Sequence, residues 1–265
     1  MTVSAVSALI ARDYRITRSY RLAFALDLVY GVIEVAVYYF ISKTFADVSS
    51  ARLGGAPSYF AFATVGIVVT IVIASASSGI AQRLREEQLA GTLEALAVQP
   101  VRTAELALGL AGFACLFAFF RAATYVFFAI VLFGLDVHGG SAVGLTLVLL
   151  ATATAMLGIG IVVAAVTVLF KRGGTFAAFA IFGMSFLSGS VFPVSVLPDW
   201  LRPIGQIMPF KFALDGTRHA LFRGTDWAGD ALALAAFGLV AIPIAIWLLD
   251  RALAAARRAG TIGQY

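Results

Sequence analysis

Apolar residues in this chain gather into blocks of about twenty, with short polar, arginine-rich stretches between them. A helix needs about 20 apolar residues to cross the ~30 Å hydrocarbon core of a bilayer. The pattern therefore predicts six spans, over residues 22–43, 58–80, 106–134, 141–169, 174–192 and 229–249. Each is read as a helix, because backbone in lipid must satisfy its own hydrogen bonds. The third block is long enough to tilt. The first could be mistaken for a secretory signal, but an h-region runs only about 7–15 residues. No small-x-small cleavage site interrupts this block, so it is read as a retained span. The expectation is an all-α integral membrane protein, with residues 1–265 forming a single transmembrane domain.

The stretch before the first span, residues 1–21, is amphipathic. At about 100° per residue, Val3, Val6, Leu9, Ile10 and Tyr14 share one arc, and Arg12, Arg15 and Arg18 share the opposite one. Asp13 interrupts the apolar arc. The pattern predicts an interfacial helix lying among the headgroups, its arginines towards anionic lipid. An ordinary juxtamembrane flank is the alternative.

Composition excludes a water-soluble domain. Apolar residues make up 61% of the chain and charged residues 12%, with a mean hydropathy of +0.97. Soluble domains sit near 45–50% and about 25%. The net charge of +5 does not point to nucleic acid. With the N-terminus inside, twelve Lys and Arg fall in inner segments and six in outer ones, while Arg121 lies within the third span. That asymmetry predicts a multi-pass protein with both termini in the cytoplasm. Sixteen of the nineteen basic residues are Arg and Asn is absent, which fits a GC-rich bacterial genome and hence a bacterial inner or plasma membrane. The lone Cys115 permits no internal disulfide.

Catalytic motifs are missing. A P-loop needs Gly-Lys followed by Ser or Thr, yet Lys43, Lys171 and Lys211 follow Ser, Phe and Phe. His138 and His219 have no Cys or His partner at zinc-ligand spacing, so no metal is expected. Neither GxSxG nor HExxH occurs. The chain is not expected to be an enzyme or to hold a cofactor.

The segment from 81 to 100 carries more information. It reads Arg83-Leu-Arg-Glu86-Glu87-Gln-Leu-Ala-Gly91-Thr92-Leu93-Glu94-Ala-Leu96-Ala-Val-Gln-Pro100. Gly91 suits a helix C-terminal cap and Thr92 an N-terminal cap. The prediction is a helix, a break, a short second helix and a stop at Pro100. Glu86, Glu87 and Glu94 could meet a basic partner surface, or could simply be solvated. With the six-span layout, the N-terminal helix and the long outer segment from Pro193 to 228, this pattern resembles the ABC type-2 permeases, the membrane subunits of ATP-driven exporters. The resemblance implies that Glu86, Glu87, Gly91, Thr92, Leu93, Glu94 and Leu96 couple the chain to a separate ABC ATPase subunit. ATP and magnesium would then sit on that partner. It also implies a second permease protomer, identical or homologous, in contact with membrane lipid, and short re-entrant helices within 193–228. Asp199–Met208 and Phe212–Phe222 are the candidates, with Asp215, Arg218 and His219 as a local charge cluster; a plain surface loop is the alternative.

Charges inside spans are expensive. Counted from the ends of their own spans, Glu34 and Arg121 reach similar depths, and they are expected to pair directly or through water; Asp27 lies nearer the inner interface. Phe176, Phe179, Phe182 and Phe186 form a stripe on the fifth span. In similar permeases the second and fifth spans line a path between protomers, so this stripe with Thr64 and Thr70 is a candidate substrate path; simple packing is the alternative. The function expected from the resemblance is outward movement of an amphipathic drug, lipid or natural product. Cell-envelope polysaccharide export and an ion-coupled secondary transporter are the other readings.

Overall fold

Ser58 accepts a hydrogen bond from the Ala61 amide at 3.1 Å, and Ser141 accepts one from the Gly144 amide at 3.0 Å. Each hydroxyl satisfies a donor that the first helical turn leaves open, and a long apolar helix follows each. In the computed structural model these are α3 (Tyr59–Leu89) and α5 (Ala142–Leu169). Ahead of them run α1 (Val3–Ser19) and α2 (Arg21–Thr44), and between them α4 (Thr103–Phe133). Next come α6 (Gly173–Leu187), a 3-10 turn (Val194–Val196), α7 (Arg202–Ile207) and α8 (Pro209–Arg218). A π turn (His219–Arg223) extends α8, and α9 (Trp227–Arg258) closes the fold. The structure describes residues 3–19, 21–44, 53, 55–89, 91, 103–137, 139–169, 173–190 and 192–258, and no strand occurs among them.

Among the described residues, five helices are long and apolar enough to cross a membrane: Ala25–Thr44, Tyr59–Arg83, Thr103–Phe133, Ala142–Val168 and Trp227–Ala255. They make the chain a multi-pass membrane protein. The predicted span over 174–192 appears as the 15-residue α6. At 1.5 Å per residue it reaches about 22 Å, short of the ~30 Å hydrocarbon core. It stops before Phe192 because two serines satisfy its last carbonyls. Ser188 donates to the Met184 carbonyl at 2.7 Å and Ser190 to the Ser185 carbonyl at 3.0 Å. Gly189 then turns the chain with a φ of 87°.

α3 is the central helix. Within the chain, 78% of its apolar window is buried, against 11% for α2, which lies at the edge. α5 is held between α3 and α9 by small residues. A Cβ on Gly160 would sit 2.3 Å from the Ala76 carbonyl of α3, and one on Gly158 2.7 Å from Ala241 of α9. Without a hydrophobic drive between helices in lipid, such close backbone approach supplies the packing energy. Buried apolar residues form two clusters along the bundle. One, near the start of α3, is bulky, with Phe62, Tyr125, Met156 and Phe210. The other, near its end, is alanine-rich and gathers Ile80, Leu110, Ile161 and Ala252.

Candidate functional site

The end of α3 carries the first half of the predicted coupling segment. The span does not stop at Ile80; it continues as helix to Leu89, so Arg83 and Glu86 project from a rigid extension. Gly91 follows with a φ of 70°, the left-handed conformation that ends helices and favours glycine. The expected break is thus present. Glu86 is exposed and ion-paired to Arg83 through Nη1 at 2.8 Å. The Glu87 side chain and residues 92–100, including Thr92, Leu93, Glu94 and Leu96, lie outside the described residues.

Arg83 also reaches α1. Its Nε lies 3.6 Å from Oδ2 of Asp13. Asp13, fully buried, accepts a hydrogen bond from Arg12 Nε at 3.0 Å. The residue that interrupts the apolar arc of α1 is therefore its link to α3. A lone carboxylate on an apolar arc was the available signal, because such a group is buried only with a partner. Leu9, Ile10 and Tyr14 of that arc meet α4, Tyr14 edge-on to Phe113. A Cβ on Gly109 would lie 2.4 Å from Leu9, and one on Gly112 2.6 Å from Ile10. Arg15 and Arg18 stay exposed.

This docking of α1 explains a correction. Glu34 and Arg121, expected to pair directly or through water, form no direct ion pair, though Arg121 acts on Glu34 through space. Arg121 Nε instead lies 3.0 Å from Oδ2 of Asp27, and its Nη2 donates to the Tyr125 hydroxyl at 3.1 Å. Counting depth from each span's own end assumed that the two helices begin at one level. They do not, because α1 first runs along α4 at residues 109–113, and α2 begins only after it. Asp27 thus comes level with Arg121, while Glu34 lies seven residues, about 10 Å, farther along. Tyr125 completes this contact by filling the groove at Gly31, where a Cβ would be 1.7 Å from its ring.

The candidate path residues separate. Thr64 is fully buried and donates to the Phe60 carbonyl of its own helix at 2.8 Å, so it packs inside the chain and offers no face to a path beside it. Thr70 is partly buried. Phe179, Phe182 and Phe186 are exposed along α6. The Phe176 side chain lies outside the described residues.

At the other end of the bundle, α8 starts at Pro209, where the fixed φ suits the first helical turn. Lys211, Asp215 and Arg218 share one face of it, at spacings of four and three. Asp215 pairs with Lys211 and, at 3.1 Å, with Arg218. Burial pulls the Arg218 guanidinium below its usual pKa, and Asp215 opposes that shift. His219 Nδ1 lies 3.0 Å from Asp230 of α9. The expected local charge cluster is therefore a partly buried network, and α7 and α8 stand close to the two short helices expected. Among the described residues, no group of His, Cys, Asp and Glu could hold a metal ion.

Comparison with known proteins adds one match. The family model for the ABC-2 type transporter matches residues 4–222. No curated protein matches the chain. The match covers α1 through α8 and nearly all of the π turn, and so includes both the α1–α3 junction and the α8 network. With five membrane-crossing helices and no P-loop in its sequence, the chain belongs to the ABC-2 type transporter family and is a permease component of an ABC transporter rather than its ATPase subunit.

Proposed function

We propose that the chain is one protomer of a dimeric exporter in a bacterial cytoplasmic membrane, moving an amphipathic drug, lipid or natural product outward. Family membership implies an ABC ATPase partner; the proposal concerns where that partner acts and what is moved. The carrying observation is the junction of Asp13, Arg83 and Glu86 just ahead of the Gly91 turn. It joins an amphipathic helix to the stiff end of the most buried span. A push on residues 84–98 by the ATPase then reaches both elements as one rigid-body motion. In this reading α6 and its flanks make the sixth crossing, the termini are cytoplasmic, α1 lies at the inner interface, and α7–α8 re-enter the outer leaflet.

Phe179, Phe182 and Phe186, exposed on α6, supply an apolar wall suited to an amphiphile. A glycan path would call for polar groups instead. For an ion-coupled mechanism, Asp27 is already engaged by the Arg121 guanidinium at 3.0 Å.

The test is copurification with the ATPase, followed by ATP turnover in the reconstituted complex. Glu94→Ala should lower turnover about tenfold, the loss of one charge-assisted contact at ~1.4 kcal/mol. Unchanged turnover and transport, or a chain that binds no ATPase, overturns the proposal.

A further inference from the structure

A cavity of about 350 Å³ opens beside α8, at the end of the bundle where α3 begins. Its volume falls in the range of ligand sites, about 300–1,000 Å³. Three of its lining residues are basic, Arg202, Lys211 and Arg218, and Asp215 is the one acidic lining residue. Arg202 is already held by Asp199 at 2.7 Å. Within the lining, Lys211 and Arg218 share Asp215, and Asp230, outside it, acts on Lys211 through space. His219 and Asp230 bond to each other outside the lining.

Arg218 is the anchor. It is 4% exposed, and its guanidinium stacks 4.1 Å from the centre of the Phe62 ring. Its Nη2 donates to the Gly189 carbonyl at 2.9 Å, but its buried Nε has no acceptor. A buried cation with an unmet donor and a shared counter-charge is costly. The missing component is a negative group that offers several oxygens. A phosphodiester offers such oxygens, and one of them could accept from the unmet Nε of Arg218. Arginine and lysine together are suited to it, one as a planar fork and one as a point charge.

We propose that this cavity binds a phosphate-class oxyanion, lipid headgroup or free phosphate, with Arg218 and Lys211 as its direct partners. The site is separate from the coupling segment and from the α6 stripe, so the inference does not depend on which cargo the chain moves.

The test uses the full-length chain in maltoside micelles and isothermal titration with two probes, inorganic phosphate and dihexanoyl phosphatidylglycerol below its micellar concentration. Saturable binding of at least one is expected; phosphate binding identifies a free anion, and lipid binding alone identifies a headgroup. Lys211→Gln should weaken binding about tenfold, the scale of one charge-assisted contact. Asp215→Asn should tighten it about fivefold, because the competing carboxylate is gone. A purely structural Asp215 bridge predicts no such tightening. These two substitutions avoid the buried Arg218, whose loss could unfold the chain. The proposal is overturned if neither probe saturates, if Lys211→Gln leaves binding untouched, or if Asp215→Asn fails to tighten it.

Discussion

Removing Arg121 alone should harm the protein more than removing it together with Asp27. The two groups lie 3.0 Å apart on α4 and α2, with side chains 22% and 32% exposed. Their gross attraction is about 5 kcal/mol at an effective dielectric of ~20. Most of that offsets desolvation, so the pair adds little net stability compared with a neutral pair. Breaking it on one side is different. Arg121→Gln leaves the Asp27 carboxylate uncompensated among apolar neighbours, and Asp27→Asn leaves the guanidinium so; either costs about 3 kcal/mol on insertion scales. The double substitution leaves two neutral amides and should cost about 1 kcal/mol. The coupling energy is then about 5 kcal/mol, several thousandfold in the folded-to-unfolded ratio. Reversible unfolding in mixed micelles, or steric trapping in bicelles, measures each corner of the cycle. A parallel cycle with Glu34→Gln should couple to Arg121 more weakly, by about 1 kcal/mol, since those two act on each other only through space. Additive losses from Asp27 and Arg121, or a stronger coupling to Glu34, would refute the reasoning.

Two further outcomes follow from close contacts. Gly31→Ala places a methyl group 1.7 Å from the Tyr125 ring, so the apparent melting temperature should drop by an amount matching about 3 kcal/mol, the upper end for overpacking. Tyr125→Phe should not rescue it, since the ring carbons that clash remain, whereas Tyr125→Leu in the same chain should; rescue by Phe would disprove the steric account. Asp13→Asn removes the charge between Arg12 and Arg83 and should cost about 1–3 kcal/mol locally. Hydrogen exchange across α1 should then accelerate while α5 stays protected, and unchanged protection of α1 would sink the proposed link.

Much of the fold was legible from local chemistry. Five of the six apolar blocks of spanning length appear as membrane-crossing helices among the described residues, because lipid leaves the backbone no other way to satisfy itself, while the sixth appears as the shorter α6. Gly91 gave the end of α3, because a positive φ favours a residue without a Cβ. α8 was expected to start at Phe212 and starts instead at Pro209. The amphipathic arc of residues 3–14 was readable, but not the surface it covers. Thr64 looked like a polar point for a path; its hydroxyl is satisfied by its own helix and buried, which a hydroxyl in a central helix can do unaided.

Charge partners were a different matter. Asp13 and Arg83 are 70 residues apart, Asp27 and Arg121 are 94, and no periodicity within one helix relates them. Local sequence was enough to tell which segments are helical and to mark five of the crossing helices, but not that the block over 174–192 would fold as the short α6. Tertiary structure alone decided the axial offset between α2 and α4, and with it the partner of Arg121. The physical reason is that helix formation is settled by neighbours a few residues away, whereas the offset depends on where Leu9 and Ile10 find glycines to pack against on another helix.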